Sequence, residues 1–155
     1  DASINWTTVV PQFEDALKQS NKKLTVIPWS KYGLDGYGMS LYASDKLIKE
    51  RPQVLARFLR ATEKAIRFSV SNPEQSAADL KAAVPETDAV VAAAMFRASI
   101  PLIDNPIAKR DGFGAFNPQL LAATWSWVAK SMNYPMDKVN PESLVNRSFL
   151  TKPGQ

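Results

Sequence analysis

The stretch Leu24-Thr-Val-Ile-Pro-Trp-Ser-Lys-Tyr-Gly-Leu-Asp-Gly-Tyr-Gly-Met-Ser-Leu-Tyr-Ala43 decides how the rest of the chain is interpreted. It opens with β-branched residues, which favour a short strand. Gly33, Gly36 and Gly38 follow closely on one another, and this density indicates a flexible connection rather than the interior of a helix or strand. A strand pattern resumes over residues 39–43. The stretch therefore predicts two strands joined by a glycine-rich connection.

The residues before this stretch predict a strand followed by a helix. Ala2-Ser-Ile-Asn-Trp6 alternates between apolar and polar residues, as strands do. Thr7 and Thr8 are suited to cap a helix that runs to about Gln19, and Pro11 falls near its first turn. The chain thus opens as a strand, helix, strand unit.

The residues after the stretch are almost entirely helical in pattern. Ser44 is placed to cap a short helix over residues 45–50, and a long helix is predicted from Pro52 to Val70. Its predicted buried stripe consists of apolar or small residues at helical spacing: Val54, Leu55, Phe58, Leu59, Thr62, Ala65 and Ile66.

Later helices are predicted near residues 73, 87–100, 117–132 and 140–146. Three of them open with Asn-Pro, and at the first we expect a capping box between Asn72 and Gln75. Two or three strands rarely form an independent sheet, so we predict that partner strands lie outside this chain.

The composition restricts the chemistry. The chain contains no cysteine and no histidine, which rules out catalysis by either side chain and zinc sites of the usual Cys/His kind. The acidic pairs Glu14-Asp15 and Asp104 with Asp111 are interpreted as solvated surface. The net charge of +4 is spread along the chain, and no stretch is apolar enough to span a bilayer. We expect a binding protein rather than an enzyme, with no cofactor and no metal.

Two groups of residues are candidates for binding. Trp6 precedes a helix start, where backbone N–H groups and the Thr7 hydroxyl can receive an anion or a carbonyl. Trp29, Tyr32 and Tyr37 surround the glycine-rich connection, where aromatic rings suit a ligand cleft. The alternative, which stays open, is that the tryptophans serve packing.

A basic stripe supports a different function. Arg57, Arg60, Lys64 and Arg67 follow one another at spacings of three and four on the long helix and could track phosphates. The competing interpretation is the solvated face of an amphipathic helix.

Eight short motifs occur along the chain in this order: Asp1-Ala-Ser-Ile-Asn-Trp, Val10-Pro-Gln, Tyr32-Gly-Leu-Asp-Gly-Tyr-Gly, Ala43-Ser-Asp-Lys-Leu-Ile-Lys-Glu-Arg-Pro52, Val54-Leu-Ala-Arg-Phe-Leu-Arg-Ala-Thr62, Ser71-Asn-Pro-Glu74, Gly112-Phe-Gly114 and Asn140-Pro-Glu-Ser-Leu-Val-Asn146. In these motifs and their order the chain resembles the NMT1/THI5-like solute-binding proteins of ABC importers, the group that includes nitrate, sulfonate, taurine and thiamine-pyrimidine binders.

The resemblance implies a protein of the α/β class. This chain would be the carboxy-terminal portion of a two-lobed type II periplasmic-binding-protein fold, and it would contain a few strands followed by mostly helices. Residues 1–31 would finish the second lobe and residues 32–38 would form the hinge crossing. Residues 39–155 would return to the first lobe as a strand and helices. The amino-terminal half of such a protein would be absent from this chain.

The function implied is capture of a small solute between the lobes and its delivery to an ABC permease, in the periplasm or as an extracellular lipoprotein. The solute would be a sulfonate, a pyrimidine, nitrate or an aromatic acid. By position, Trp6 would stack on it, Asn5 and Thr7 would hydrogen-bond to it, and Asp35 and Tyr37 would contact it from the hinge side.

Two other functions are weighed against this one. The family's enzymatic branch, the pyrimidine synthases, relies on histidine and a cysteine-rich motif, both missing here. A stand-alone helical interaction or nucleic-acid-binding domain would use the Arg57–Arg67 stripe, and its binding would weaken steeply with salt.

Overall fold

The computed structural model describes residues 2–150, and this part of the chain is mostly helical. The α-helices are α1 Val10–Leu17, α2 Asp45–Glu50, α3 Pro52–Ser71, α4 Pro73–Ala83, α5 Ala89–Ile103, α6 Pro106–Asp111 and α7 Pro118–Ser131. Short 3-10 turns lie at Thr7–Val9, Trp29–Tyr32, Met136–Lys138, Pro141–Leu144 and Arg147–Phe149. Within residues 2–150, no helix combines the length and apolar character needed to cross a membrane.

The strands predicted over residues 2–6, 24–28 and 39–43 are wrong for the described part of the chain, which contains no β-strand. Trp6 and Pro28 do keep extended backbone angles. An extended segment becomes a strand only when a neighbour completes its hydrogen-bond ladder, and these segments have none within residues 2–150. This part of the chain is helical, and the two-lobed α/β architecture stays a prediction.

The described residues divide into two compact units. The first unit takes residues 2–27 and 61–105, and the second takes residues 28–60 and 106–150. Each unit is built from two separate parts of the sequence. The assignment of residues 1–31, 32–38 and 39–155 to lobes and hinge concerns a larger protein and stays a prediction.

The core of the first unit is made of small side chains between α4 and α5. Ala77, Ala92 and Ala93 are buried, and Phe96 packs against them. Small residues at a helix contact let the two helix axes approach closely. The Ser76 hydroxyl, also buried, donates to the Ser69 hydroxyl of α3 at 3.2 Å.

The helix caps predicted from the sequence are correct at some helix starts and wrong at others. Ser44 caps α2 by accepting from the Leu47 N–H at 3.2 Å, as predicted. The capping box at Asn72 is wrong, because its Nδ2 donates to the Phe68 carbonyl and Gln75 bonds Asp79 instead. Asn72 alone separates α3 from α4, and its side chain serves the end of the first helix.

The start of α1 also differs from the prediction. Its N-cap is Val9, which makes no side-chain cap bond, and the preceding 3-10 turn is entered from Trp6 rather than capped by a threonine. Pro11 lies in the first turn of α1, as predicted. Thr7 and Thr8, predicted as caps of this helix, lie instead within the 3-10 turn Thr7–Val9.

The long helix is confirmed as α3, but its apolar stripe is only partly covered. Leu55, Leu59 and Ile66 are half-buried, whereas Val54 is 42% and Phe58 is 56% exposed. None of the described residues of α3 is fully buried. The amphipathic pattern therefore predicts the helix correctly and overstates its burial.

Candidate functional site

The candidate residues Asn5, Trp6 and Thr7 lie together in the first unit, at the entrance to α1. The Asn5 side-chain oxygen accepts from the Trp6 backbone N–H at 3.1 Å, which holds the Asn5 amide against the Trp6 backbone. The Trp6 carbonyl accepts from the Val9 N–H at 3.1 Å. Trp6 is 60% exposed, so its ring offers a free face for stacking.

The candidate residues Asp35 and Tyr37 lie in the second unit and differ in environment. Asp35 is exposed, and its Oδ1 accepts from the Gly36 N–H at 3.0 Å. Tyr37 is half-buried and makes several contacts with later residues. Because Asp35 is exposed, its carboxylate is suited to accept from the N–H or O–H of a ligand.

The contacts of Tyr37 lead to α7 and to the residues directly before it. Its backbone N–H donates to the Thr124 hydroxyl at 2.7 Å. Its own hydroxyl accepts from the Asn117 N–H at 2.8 Å and donates to the Ala115 carbonyl at 3.4 Å. Its ring meets Phe116 edge to face, with centroids 4.9 Å apart. We call this set of contacts the Tyr37 anchor.

Two further residues extend the anchor within the second unit. The Arg147 guanidinium donates to the Phe116 carbonyl at 3.2 Å and pairs with Glu142 at 2.7 Å. The other Glu142 oxygen, Oε1, is buried and has no hydrogen-bond partner within the described part of the chain. Asn117 caps α7 by accepting from the Gln119 and Leu120 N–H groups. The start of α7 is thus held by side chains from before and after it.

The structure brings the candidate residues together as two groups, one in each unit. Asn5, Trp6 and Thr7 are consecutive, and Asp35 and Tyr37 share one connection. The prediction that both groups contact a single ligand stays a prediction.

Sequence reasoning missed the residues that hold Tyr37. Asn117 was identified only as the start of a helix, and Phe116 and Thr124 were not singled out. A threonine within a helix carries no pattern that links it to a residue 87 positions earlier. The Asn117-Pro118 start was the one available signal, because it places α7 correctly.

The basic stripe lies on the surface of α3. Arg57, Arg60, Lys64 and Arg67 are all exposed, and the Arg67 guanidinium pairs with Glu63 one turn earlier at 2.8 Å. An exposed pair of this kind is typical of a solvated helix face and adds little stability.

Residues 1–76 match the family model described as NMT1/THI5 like. The match ends within α4. It covers Asn5, Trp6 and Thr7 in the first unit and the glycine-rich connection that contains Asp35 and Tyr37. No curated protein matches the chain, and no solved structure does. This match agrees with the family resemblance that the sequence motifs indicate.

Proposed function

We propose that this chain is part of the solute-binding component of an ABC importer, which captures a small molecule between two lobes and delivers it to a membrane permease. The observation that supports the proposal is the NMT1/THI5-like match over residues 1–76, because that family is one of solute binders. In this proposal the chain is the carboxy-terminal part of a two-lobed α/β protein. The protein acts in the periplasm or as an extracellular lipoprotein and carries out no catalysis.

The proposed ligand contacts follow from exposure and chemistry. Trp6 supplies an exposed aromatic side chain, and Asn5 and Thr7, its neighbours in sequence, supply polar groups. Asp35 supplies a solvent-facing carboxylate oxygen. Tyr37 contributes its ring, since its hydroxyl already has two backbone partners. A ring for stacking with a few polar groups suits a small, flat or anionic solute: a pyrimidine, an aromatic acid, a sulfonate or nitrate.

The test is a thermal-shift screen of the full-length protein against pyrimidines, aromatic acids, sulfonates and nitrate. A bound solute raises the melting temperature in a concentration-dependent way, because it stabilises only the folded state. Trp6→Ala should abolish most of the shift. Trp127→Ala is the matched control, since Trp127 is also an exposed tryptophan, at 37%, and is not a candidate for binding. The absence of any shift across all four classes would refute the proposal.

The alternative is a helical interaction or nucleic-acid-binding domain that uses the stripe on α3. The exposure of Arg57, Arg60, Lys64 and Arg67 favours it, and the pairing of Arg67 with Glu63 counts against it. It predicts oligonucleotide binding that weakens steeply as salt increases, whereas solute binding responds little to salt. A salt titration of both ligands separates the two functions.

A further inference from the structure

The Tyr37 anchor holds one end of the glycine-rich connection by three kinds of contact. They are a backbone hydrogen bond to Thr124, two hydrogen bonds at the Tyr37 hydroxyl, and an edge-to-face ring contact with Phe116. The Thr124 hydroxyl also donates to the Leu120 carbonyl at 2.7 Å. Its single proton is therefore directed into α7, and a lone pair is left to receive the Tyr37 N–H.

The backbone next to the anchor fits closely against α7. A Cβ added at Gly36 would lie 2.8 Å from the Thr124 Oγ1 and 3.3 Å from the Thr124 Cα. Both distances are below ordinary van der Waals contact, and the second is to backbone, which cannot rotate away. Only glycine lets the connection approach α7 at this distance.

The other end of the connection has the opposite character. Gly33 ends the 3-10 turn Trp29–Tyr32 with φ of 85°, and an added Cβ there would meet nothing within 4 Å. The chain turns at Gly33 in the left-handed region, in open space. The turn is closed locally, by hydrogen bonds from the Gly33 N–H to the Ser30 carbonyl and from the Leu34 N–H to the Trp29 carbonyl.

We propose that Tyr37 is a positioning residue, which fixes the connection onto α7, and that Gly33 is the point at which the connection pivots. Asp35 lies between the two, so the anchor determines where its carboxylate is held. The inference rests on the proposed function where it assigns Asp35 to a ligand and the connection to a hinge. The anchor and the pivot can both be tested without any ligand.

The first test is amide hydrogen exchange, read residue by residue by NMR on the uniformly labelled chain. Thr124→Ala removes the acceptor, and the Tyr37 amide should exchange roughly three- to tenfold faster, as expected for the loss of one hydrogen bond. Thr124→Ser keeps the hydroxyl and should restore the slow rate. If the Tyr37 amide exchanges equally fast in the parent chain and in Thr124→Ala, the anchor is refuted.

The second test uses the tyrosine hydroxyl. Tyr37→Phe keeps the ring and removes the acceptor for the Asn117 N–H, so the Asn117 amide should exchange faster while the amides of α4 and α5 do not change. Tyr32→Phe makes the same chemical change at a side chain that is 75% exposed and should leave the Asn117 amide unaffected. Equal effects of the two variants would overturn the assignment of Tyr37.

The third test compares substitutions at the two ends of the connection, Gly36 next to the anchor and Gly33 at the pivot. Gly36→Ala should accelerate exchange at Tyr37, because the new methyl group displaces the Thr124 hydroxyl. Gly33→Asn should not, since asparagine tolerates a left-handed backbone and the space there is open. A faster Tyr37 amide in Gly33→Asn would refute the pivot. The function can fail separately: if the exchange results hold and the full-length protein binds no solute, the anchor stands and the proposed function does not.

Discussion

The contact between α4 and α5 in the first unit and the Tyr37 anchor in the second unit hold their parts of the chain in different ways. The first is a patch of alanines on two helices that follow one another in the sequence, and these alanines share one interface. The second joins a connection to a helix some 80 residues later, through individually directed hydrogen bonds. The stability of a packed patch depends on the volume of its side chains, whereas the stability of the Tyr37 anchor depends on the positions of single donor and acceptor atoms. The two regions should therefore respond to different kinds of substitution.

The largest expected effect is the overfilling of the alanine patch. Ala77 is 1% exposed, and Ala77→Leu should lower the free energy of unfolding by about 1–3 kcal/mol, because α4 and α5 have no space for the added atoms. Urea unfolding measures the loss. Ala78→Leu is the matched control on an exposed position of the same helix, and a similar loss there would show that the patch does not depend on volume.

A smaller effect is expected at two helix starts that look alike in sequence. The Asn117 side chain caps α7, and Asn117→Ala should cost about 1 kcal/mol of unfolding free energy. The Asn72 side chain makes no cap bond to α4, so Asn72→Ala should cost less. Chemical denaturation of both variants gives the comparison. Equal losses would mean that the two Asn-Pro starts are equivalent after all.

The smallest effect is a dependence of stability on pH. The N–H groups of Val91 and Val90, at the start of α5, bond to the Asp88 carboxylate and lower its pKa. A carboxyl group with a lowered pKa in the folded state stabilises the fold above its unfolded pKa of about 3.9. That contribution disappears as the pH falls through the folded value.

Asp88→Asn retains the capping oxygen and loses the titration. Unfolding free energies of both proteins, measured from neutral to acidic pH, should differ most above the unfolded pKa of about 3.9, and the difference should shrink as the pH falls through the lower folded pKa. A difference that stays constant over the whole range would contradict the assignment. No comparable titration is expected from the alanine patch itself.

The sequence predicts regular features better than single contacts. Helical periodicity correctly places α3, and a polar residue before an apolar run correctly places Ser44 and Asn117. The predicted strands fail because a strand depends on a neighbour, and the pattern over residues 39–43 contains no information about whether one is present. The capping box at Asn72 fails because the preceding helix ends directly before it.

Of the candidate site, local sequence predicts the glycine-rich connection, whereas it leaves open whether Trp6 binds a ligand or serves packing. The anchoring of Tyr37 does not follow from local sequence, because it depends on the side of α7 that carries Thr124 and on the space available at Gly36. Such a contact is a property of the folded backbone rather than of any short motif.

The long sequence separation of the Tyr37 anchor also bears on the order of folding. The α4–α5 contact closes a short loop, whereas the bond between Asn117 and Tyr37 closes one of 80 residues, and the entropic cost of closure increases by about 0.6 kcal/mol with each doubling of length. We therefore expect the helical hairpin to form early and the anchor late. Stopped-flow measurements should show Ala77→Leu slowing refolding and Tyr37→Phe mainly accelerating unfolding, and the reverse pattern would contradict this order.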